Sequence, residues 1–356
     1  MFNSKAVSSI RLVALCMIVA CHIFQGENMV LAWWFNVGVQ IFLFMSGFLF
    51  GTKNIEHAST WLKKRFIRIV IPYYLLLATV IVFYLIFARS LLTVSALLVN
   101  LLLLQGFGTG LAGIEHLWFI SYIILCYLIT PILQTADFSN PKNTKGKYVI
   151  KLIFLLVVLQ VLNYANVINI SIPNISSYII GYYFARRHFH YEKCQSLLQD
   201  SSSKKSVTGI FTACILTTPL VVYLDYFYNG SLFSFFVPYK DILFAWNHTL
   251  LGVSLFLVMY LLFDSLYRKK TYQPLDRIAK WGDTYSYHVY LTHQIFILGQ
   301  FSLLAVTPSK FFNITIIVLC AVVTGIALQN INRLVIKKYE RHHKEVNALT
   351  QKSADI

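Results

Sequence analysis

Apolar residues in this chain come in continuous runs of about twenty, from near the N-terminus almost to the end, with no sustained alternation of polar and apolar positions. The pattern predicts an all-α integral membrane protein. A β-barrel would alternate along each strand. Ten spans are expected, at roughly 6–24, 33–52, 69–88, 117–136, 148–167, 174–186, 207–227, 241–264, 285–305 and 312–333. The sixth is short and extends into its flanks. A further apolar stretch, 91–107, ends at "QGFGTGLAG" and reads as an interfacial or re-entrant segment. The first run resembles a signal peptide but lacks a small-residue cleavage site, so it is read as a retained helix. No soluble domain fits between the runs. Residues 1–335 form one transmembrane domain, and 336–356 form a cytoplasmic tail.

Charge sharpens this picture. The chain is 57% hydrophobic and only 12% charged, far from a soluble composition. Lys and Arg number 30, and they are not spread evenly. Five fall in 53–68, four in 142–151, five in 186–205, five in 268–280 and six in 333–352, with Lys5 ahead of the first span. The alternate connections hold only Arg89, Lys240 and Lys310, and Arg11 sits inside the first span. This alternating bias predicts that both termini are cytoplasmic and that the spans are even in number. The net charge of +16 is therefore a topology signal, and nucleic acid is not expected as a partner. The six cysteines form no CxxC pair; Cys194 lies in a basic loop and the other five lie in apolar runs, where they read as packing thiols. No metal-binding motif occurs.

The first span, "IRLVALCMIVACHIF", carries Arg11 and His22. Eleven residues make close to three helical turns, so the two side chains share a face about 16 Å apart along the axis. Arg11 facing lipid would cost at least about 2.5 kcal/mol. A polar cleft inside the bundle accounts for both residues; alternatively, Arg11 snorkels to lipid phosphates and His22 caps an outer loop. The cleft reading puts a guanidinium near the cytoplasm to hold an anionic group and an imidazole near the outer face to act as a general base. Coenzyme A has a matching build, with phosphates at one end and a thioester at the tip of a long arm.

Five stretches follow in order: Arg11-x10-His22; "VGVQIFLFMSGFLFG" at 37–51; "LKKRFIRIVIPYY" at 62–74; "HLWFISYIILCYLITPIL" at 116–133; and "YSYHVYLTHQ" at 285–294. Together they resemble the type-3 acyltransferase family, the integral-membrane O-acyltransferases of bacterial surface glycans. The resemblance covers about 5–335. It implies an acyl-CoA donor, a hydroxyl acceptor outside the cytoplasm, and a bacterial inner-membrane location. Many members of the O-antigen type carry a glutamate shortly after the His-x-Trp pattern. Here Trp118 is followed by Phe119, Ile120, Ser121, Tyr122 and Ile123, which places the chain closer to the shorter, stand-alone members.

Other residues join the candidate site. Arg65 and Arg68 lie three apart on one helix face, ahead of Pro72 in a first helical turn, and either contact phosphate or are ordinary cytoplasmic charge; the latter is preferred for Lys63 and Lys64. Ser46 and Gly47 either let the backbone approach the donor or let helices pack closely. Glu115 and His116 stand at the depth of His22 and orient or polarise a base–acceptor pair, or cap a loop, while Trp118 lines the cleft or belongs to an aromatic belt. Ser286, Tyr290 and His293 share one face of the ninth span, as cleft lining or as an interhelical network; His288 is off that face. Glu27, Asp241 and His248 have weaker claims on the acceptor.

The expected activity is acyl transfer, with acetyl the first choice, from cytoplasmic acyl-CoA to an extracytoplasmic sugar, on a free polysaccharide or a lipid-linked one. His22 is the base; Arg11, Arg65 and Arg68 hold the donor. Acetyl-CoA is a co-substrate, and no permanently bound cofactor is expected. A homo-oligomer is compatible with the sequence. The rival reading is a flippase for a lipid-linked glycan, for which the Arg11-to-His22 spacing has no use.

Overall fold

A computed structural model describes residues 3–136, 147–164, 170–191, 201–224, 234–269 and 273–354. Cys194 and the basic residues Lys142, Lys145, Lys193 and Lys270, used above for topology, lie outside them. The described residues form helices and turns, with no strand. Along the chain these are α1 (Ser4–Gly26), α2 (Leu31–Phe35), α3 (Val37–Gly51), α4 (Ala58–Phe87), α5 (Val94–Leu101), α6 (Trp118–Ala136), α7 (Lys147–Tyr164), α8 (Ile172–Ala185), α9 (Ser201–Val222), α10 (Lys240–Arg268), α11 (Gln273–Thr292) and α12 (Lys310–Ala354).

Seven helical segments among the described residues are long and apolar enough to cross a membrane: Ser4–Gly26, Leu31–Gly51, Ala58–Phe87, Glu115–Thr135, Lys204–Val222, Phe235–Arg268 and Lys310–Arg341. Three of the ten expected spans, the fifth, sixth and ninth, are not among these seven. The fifth is described only over Lys147–Tyr164. The sixth, α8, has 14 residues, about 21 Å against a hydrocarbon core of about 30 Å, and it continues into a π-helical turn at Arg186–Tyr191. The ninth does not run helically to 305. Helix α11 ends at Thr292, a 3₁₀ turn follows at His293–Phe296, and 297–309 is irregular. The stretch 91–107 holds only the eight-residue α5.

One local expectation is corrected. Pro72 does not sit in a first turn, because α4 begins at Ala58 and extends through the whole basic stretch. Proline inside a helix cannot donate to the carbonyl four residues earlier, here that of Arg68, and its ring crowds that turn. One residue further on, the Ile69 carbonyl accepts the Tyr287 hydroxyl at 2.9 Å.

Two helix pairs frame the interior. Helices α3 and α8 cross in close contact. A Cβ at Gly47 would lie 2.0 Å from the Tyr178 carbonyl oxygen, and one at Gly181 would lie 2.2 Å from that of Phe44. The small-xxx-small pairs Gly47/Gly51 and Ser177/Gly181 supply this approach. Helices α1 and α11 run parallel, since successive contacts advance along both: Lys5 with Asp276, Arg11 with Asp283, and the His22 ring 5.1 Å from the His293 ring. These two helices are the rails of the site.

Candidate active site

At the Arg11 end the rails enclose a cavity of about 290 Å³. Helix α1 contributes Arg11 and Ile18, α3 contributes Phe42, Ser46 and Phe50, and α4 contributes Arg65 and Arg68. Tyr127 of α6 and Ser286, Tyr287 and Tyr290 of α11 complete much of the wall. Three guanidiniums thus converge on a space otherwise lined by aliphatic, aromatic and hydroxyl groups, and no carboxylate is in the lining. Arg65 is held by stacking, its guanidinium 4.7 Å from the Phe50 ring centre and 5.7 Å from that of Trp61. Arg11 is anchored differently. Its Nη1 donates to Asp283, whose other carboxylate oxygen accepts the Ser8 hydroxyl. Asp283 approaches from outside the lining, so it fixes Arg11 without filling the cavity. Lys63 and Lys64 are exposed and line nothing here.

Gly47 does not reach this space; it lies in the α3–α8 contact, while its neighbour Ser46 does line the cavity. Of the two readings for this pair, close helix approach describes Gly47 and cavity lining describes Ser46.

The His22 end carries a second cavity, of about 350 Å³, with a different chemistry. It is lined by Cys21, His22, Gln25, Ala32, Trp33, Asn36, Glu115, His116, Trp118 and Gln294. Phe119 and Tyr290, ring centres 5.5 Å apart, belong to the wall of the first cavity and adjoin residues of the second, Phe119 by following Trp118 in the chain. Tyr290 lines the first cavity and donates its hydroxyl to the His116 carbonyl at 2.5 Å.

Three imidazoles meet at this junction. The His22 ring centre lies 6.1 Å from that of His116 and 5.1 Å from that of His293, and the latter two are 4.8 Å apart. Their hydrogen bonds assign the tautomers. His116 Nε2 lies 3.0 and 3.2 Å from the carbonyls of Tyr290 and Leu291, which can only accept, so Nε2 carries the proton. His293 Nδ1 lies 2.6 Å from the Tyr290 carbonyl and donates likewise. The remaining nitrogens, His116 Nδ1 and His293 Nε2, are buried lone pairs without a partner. His22 is half-buried, and its Nδ1 is 3.1 Å from Gln25 Oε1, which leaves Nε2 as its basic nitrogen. Among the described residues no group of three or more His, Cys, Asp or Glu side chains is arranged to hold a metal ion.

The break in α11 makes this cluster. At His293 the chain leaves the α-helix for a 3₁₀ turn, which brings Gln294 to the same junction. Gln294 Oε1 accepts the His116 backbone N–H at 3.0 Å, and its Nε2 donates to Glu115 at 3.0 Å. Glu115 also accepts from the Gly113 N–H at 2.9 Å. Glu115 therefore bonds no imidazole; it reaches His116 only through Gln294.

Most of the residues singled out from the sequence come together, in two groups. Arg11, Ser46, Arg65, Arg68, Ser286 and Tyr290 line the first cavity; His22, Glu115, His116 and Trp118 line the second; His293 is fully buried at the junction. His288 bonds Asn332 on α12 at 3.2 Å and stays off the shared face. Glu27 pairs with Lys310, Asp241 is exposed on α10, and the His248 ring lies 4.0 Å from Trp33.

Sequence reasoning missed Asp283, Gln294, Gln25, Trp33 and Tyr127. For Asp283 the signal was present: it precedes Ser286 by three residues, so the stripe Ser286, Tyr290, His293 extends back one step onto it. Gln294 had no periodic signal, because it faces the site only after the helix ends.

The profile of a family described as "Acyltransferase domain" matches residues 5–328, which takes in both rails and both cavities. Comparison with curated proteins and with solved structures gives no significant match.

Proposed function

Because the chain belongs to the type-3 acyltransferase family, with the match over residues 5–328, we propose that it transfers an acyl group, acetyl in the first instance, from acyl-CoA on the Arg11 side to a sugar hydroxyl on the His22 side. One observation carries the reading. A three-arginine cavity and an imidazole vestibule lie along α1, the first also lined by α11 and the second by Gln294 just past its end, and Tyr290 in the wall of the first bonds His116 of the second. The axial distance from Arg11 to His22, about 16 Å, suits a donor whose phosphates and thioester are far apart. The first cavity is too small for a whole coenzyme, so the phosphates stay at its arginine mouth and the pantetheine arm enters. Guanidinium forks grip phosphate oxygens two at a time.

At the junction His22 Nε2 takes the acceptor's hydroxyl proton as the oxygen attacks the thioester carbonyl. The tetrahedral adduct then expels the thiolate, which receives a proton from His22, so the base is regenerated and free CoA and ester remain. His116 and His293 spend their N–H groups on backbone carbonyls. They present lone pairs, which would repel an oxyanion, so they are not oxyanion-hole donors. Their role is to face the charge that develops on His22 and to stabilise the imidazolium, the office a carboxylate holds in a hydrolase triad. Glu115 and Gln294 fix His116 in place.

The alternating basic loops support an orientation with Arg11, Arg65 and Arg68 cytoplasmic in a bacterial inner membrane. Sealed vesicles of known orientation test all of this. Acyl-CoA supplied on the arginine side should be consumed and the ester should appear on the opposite side. Transfer that needs both substrates on the arginine side would refute the through-membrane route and keep the chemistry. Movement of a lipid-linked glycan with no release of CoA would refute acyl transfer itself.

A further inference from the structure

We infer that the outer vestibule selects its acceptor by charge: it takes an uncharged or amino-bearing sugar ring and turns away acidic ones, with Glu115 as the selecting residue. The inference rests on the acyl-transfer reading and adds the class of sugar.

The vestibule is a built polar site. At about 350 Å³ it falls within the range of small-molecule pockets. Two indoles, Trp33 and Trp118, share its lining. Both pack against another ring, Trp33 against His248 at 4.0 Å and Trp118 against Tyr122 at 5.4 Å. A pyranose presents weakly positive C–H groups to the negative face of such a ring and keeps its hydroxyls at the rim. The hydroxyls would meet Gln25, Asn36, Gln294 and Glu115, a set rich in amides. His116, only 3% exposed, adds a buried lone pair with no partner in the same lining.

The charge of this lining is one-sided. Glu115 is exposed, and both its oxygens accept from neutral donors, the Gly113 N–H and the Gln294 amide. No cation lines the vestibule. Lys310 is paired with Glu27, and Lys240 lies over the Phe244 ring at 5.1 Å. Among the described residues Glu115 forms no ion pair, and the vestibule lining holds no Lys or Arg to offset its carboxylate. A uronate or other carboxylated ring placed against the indoles would bring a second negative charge to the same small space. Two like charges about 10 Å apart at an effective dielectric of about 20 lower an equilibrium constant by roughly tenfold. The Arg11 cavity is the opposite, with three cations and no acid in its lining. Each end thus excludes the charge that the other end binds.

Three matched rings test the inference by binding, independently of turnover: methyl glucoside, methyl glucosaminide and methyl glucuronide. They are titrated against the purified full chain with tryptophan fluorescence as the readout and Trp33→Phe as the control for which indole responds. At low ionic strength the glucoside and glucosaminide should bind, and the glucuronide should bind about tenfold or more weakly. In Glu115→Gln the gap should close to within about threefold. In the unmodified protein it should narrow as salt rises from about 0.01 to 1 M, where the Debye length falls from about 30 to about 3 Å; this measurement needs no variant to fold. A glucuronide that binds as tightly as the glucoside, a gap insensitive to both Glu115→Gln and salt, or no response to any ring would overturn the inference. Failure to release CoA with every hydroxyl acceptor would overturn the acyl-transfer reading and leave the binding result standing.

Discussion

The two ends of the α1–α11 rail pair make an instructive contrast. The Arg11 end is built from three arginines: Arg11, alone in the apolar first span, and Arg65 and Arg68, three residues apart in the basic stretch of α4. Its one acid, Asp283, is outside the lining and serves Arg11. The His22 end is built from scattered segments: His22 on α1, Trp33 on α2, Glu115 and His116 in a 3₁₀ turn, and Gln294 just past the break in α11. The first end recruits charge by periodicity along helices. The second recruits hydrogen-bonding geometry by ending helices. Cationic phosphate contacts tolerate variation in position, whereas a base and its partners need fixed nitrogens, and helix breaks supply those at the cost of regular backbone bonding.

The largest break of this comparison is at His22. His22→Ala should lower the rate of acyl transfer by about 10²–10⁴-fold while acyl-CoA still binds at the arginine cavity, as measured by isothermal titration in detergent. Loss of donor binding together with activity would mean that the two ends are not separable in function.

Arg11→Ala should act at the other end, raising the KM for acyl-CoA by about tenfold or more, the scale of a lost charge-assisted pair of about 1.5–3 kcal/mol. Arg11→Lys should recover part of it, since lysine keeps the charge and loses the planar fork. If Arg11→Ala instead changes kcat with KM unmoved, the arginine end does not hold the donor.

Replacing His293 with Asn should lower kcat and spare both KM values, because the residue faces His22 and lines neither cavity. An unchanged kcat would remove His293 from imidazolium stabilisation and leave it a packing residue.

Gly47→Ala belongs to neither end. Its new Cβ would meet the Tyr178 carbonyl at 2.0 Å. Overpacking of this kind costs about 1–3 kcal/mol, so the melting temperature should fall while the folded fraction keeps its KM for acyl-CoA. A raised KM at unchanged stability would return Gly47 to the donor site.

The smallest effect should come from Asp283→Asn. The carboxamide oxygen can still accept from Arg11, so KM for the donor should move by only a fewfold in either direction. In the Arg11→Ala background the same change should do nothing further, and additivity in that double-mutant cycle would show that Asp283 acts elsewhere.

How much of this could be read from the chain divides along the same line. The helical class was determined by hydrophobic runs, because a backbone in lipid must satisfy its own hydrogen bonds, and that leaves few architectures. Arg11 and His22 on one face, and Ser286 with Tyr290 on another, followed from helical periodicity, since α1 is unbroken from Ser4 to Gly26 and α11 reaches Thr292. The grouping of His116 with His22 was foreseen from the depth at which each span begins, and their rings lie 6.1 Å apart. Tertiary structure decided the rest. It ended α11 at Thr292 rather than at 305, and so put His293 and Gln294 at one junction. It bonded Glu115 to Gln294 instead of to an imidazole. It placed Gly47 between α3 and α8, and it paired Arg11 with Asp283 across 272 positions of chain. Periodicity reports which face a residue shares within its own helix. Which helix packs against that face, and where a helix stops because a neighbour supplies its hydrogen bonds, depends on contacts between residues far apart in sequence, and those exist only once the bundle has closed.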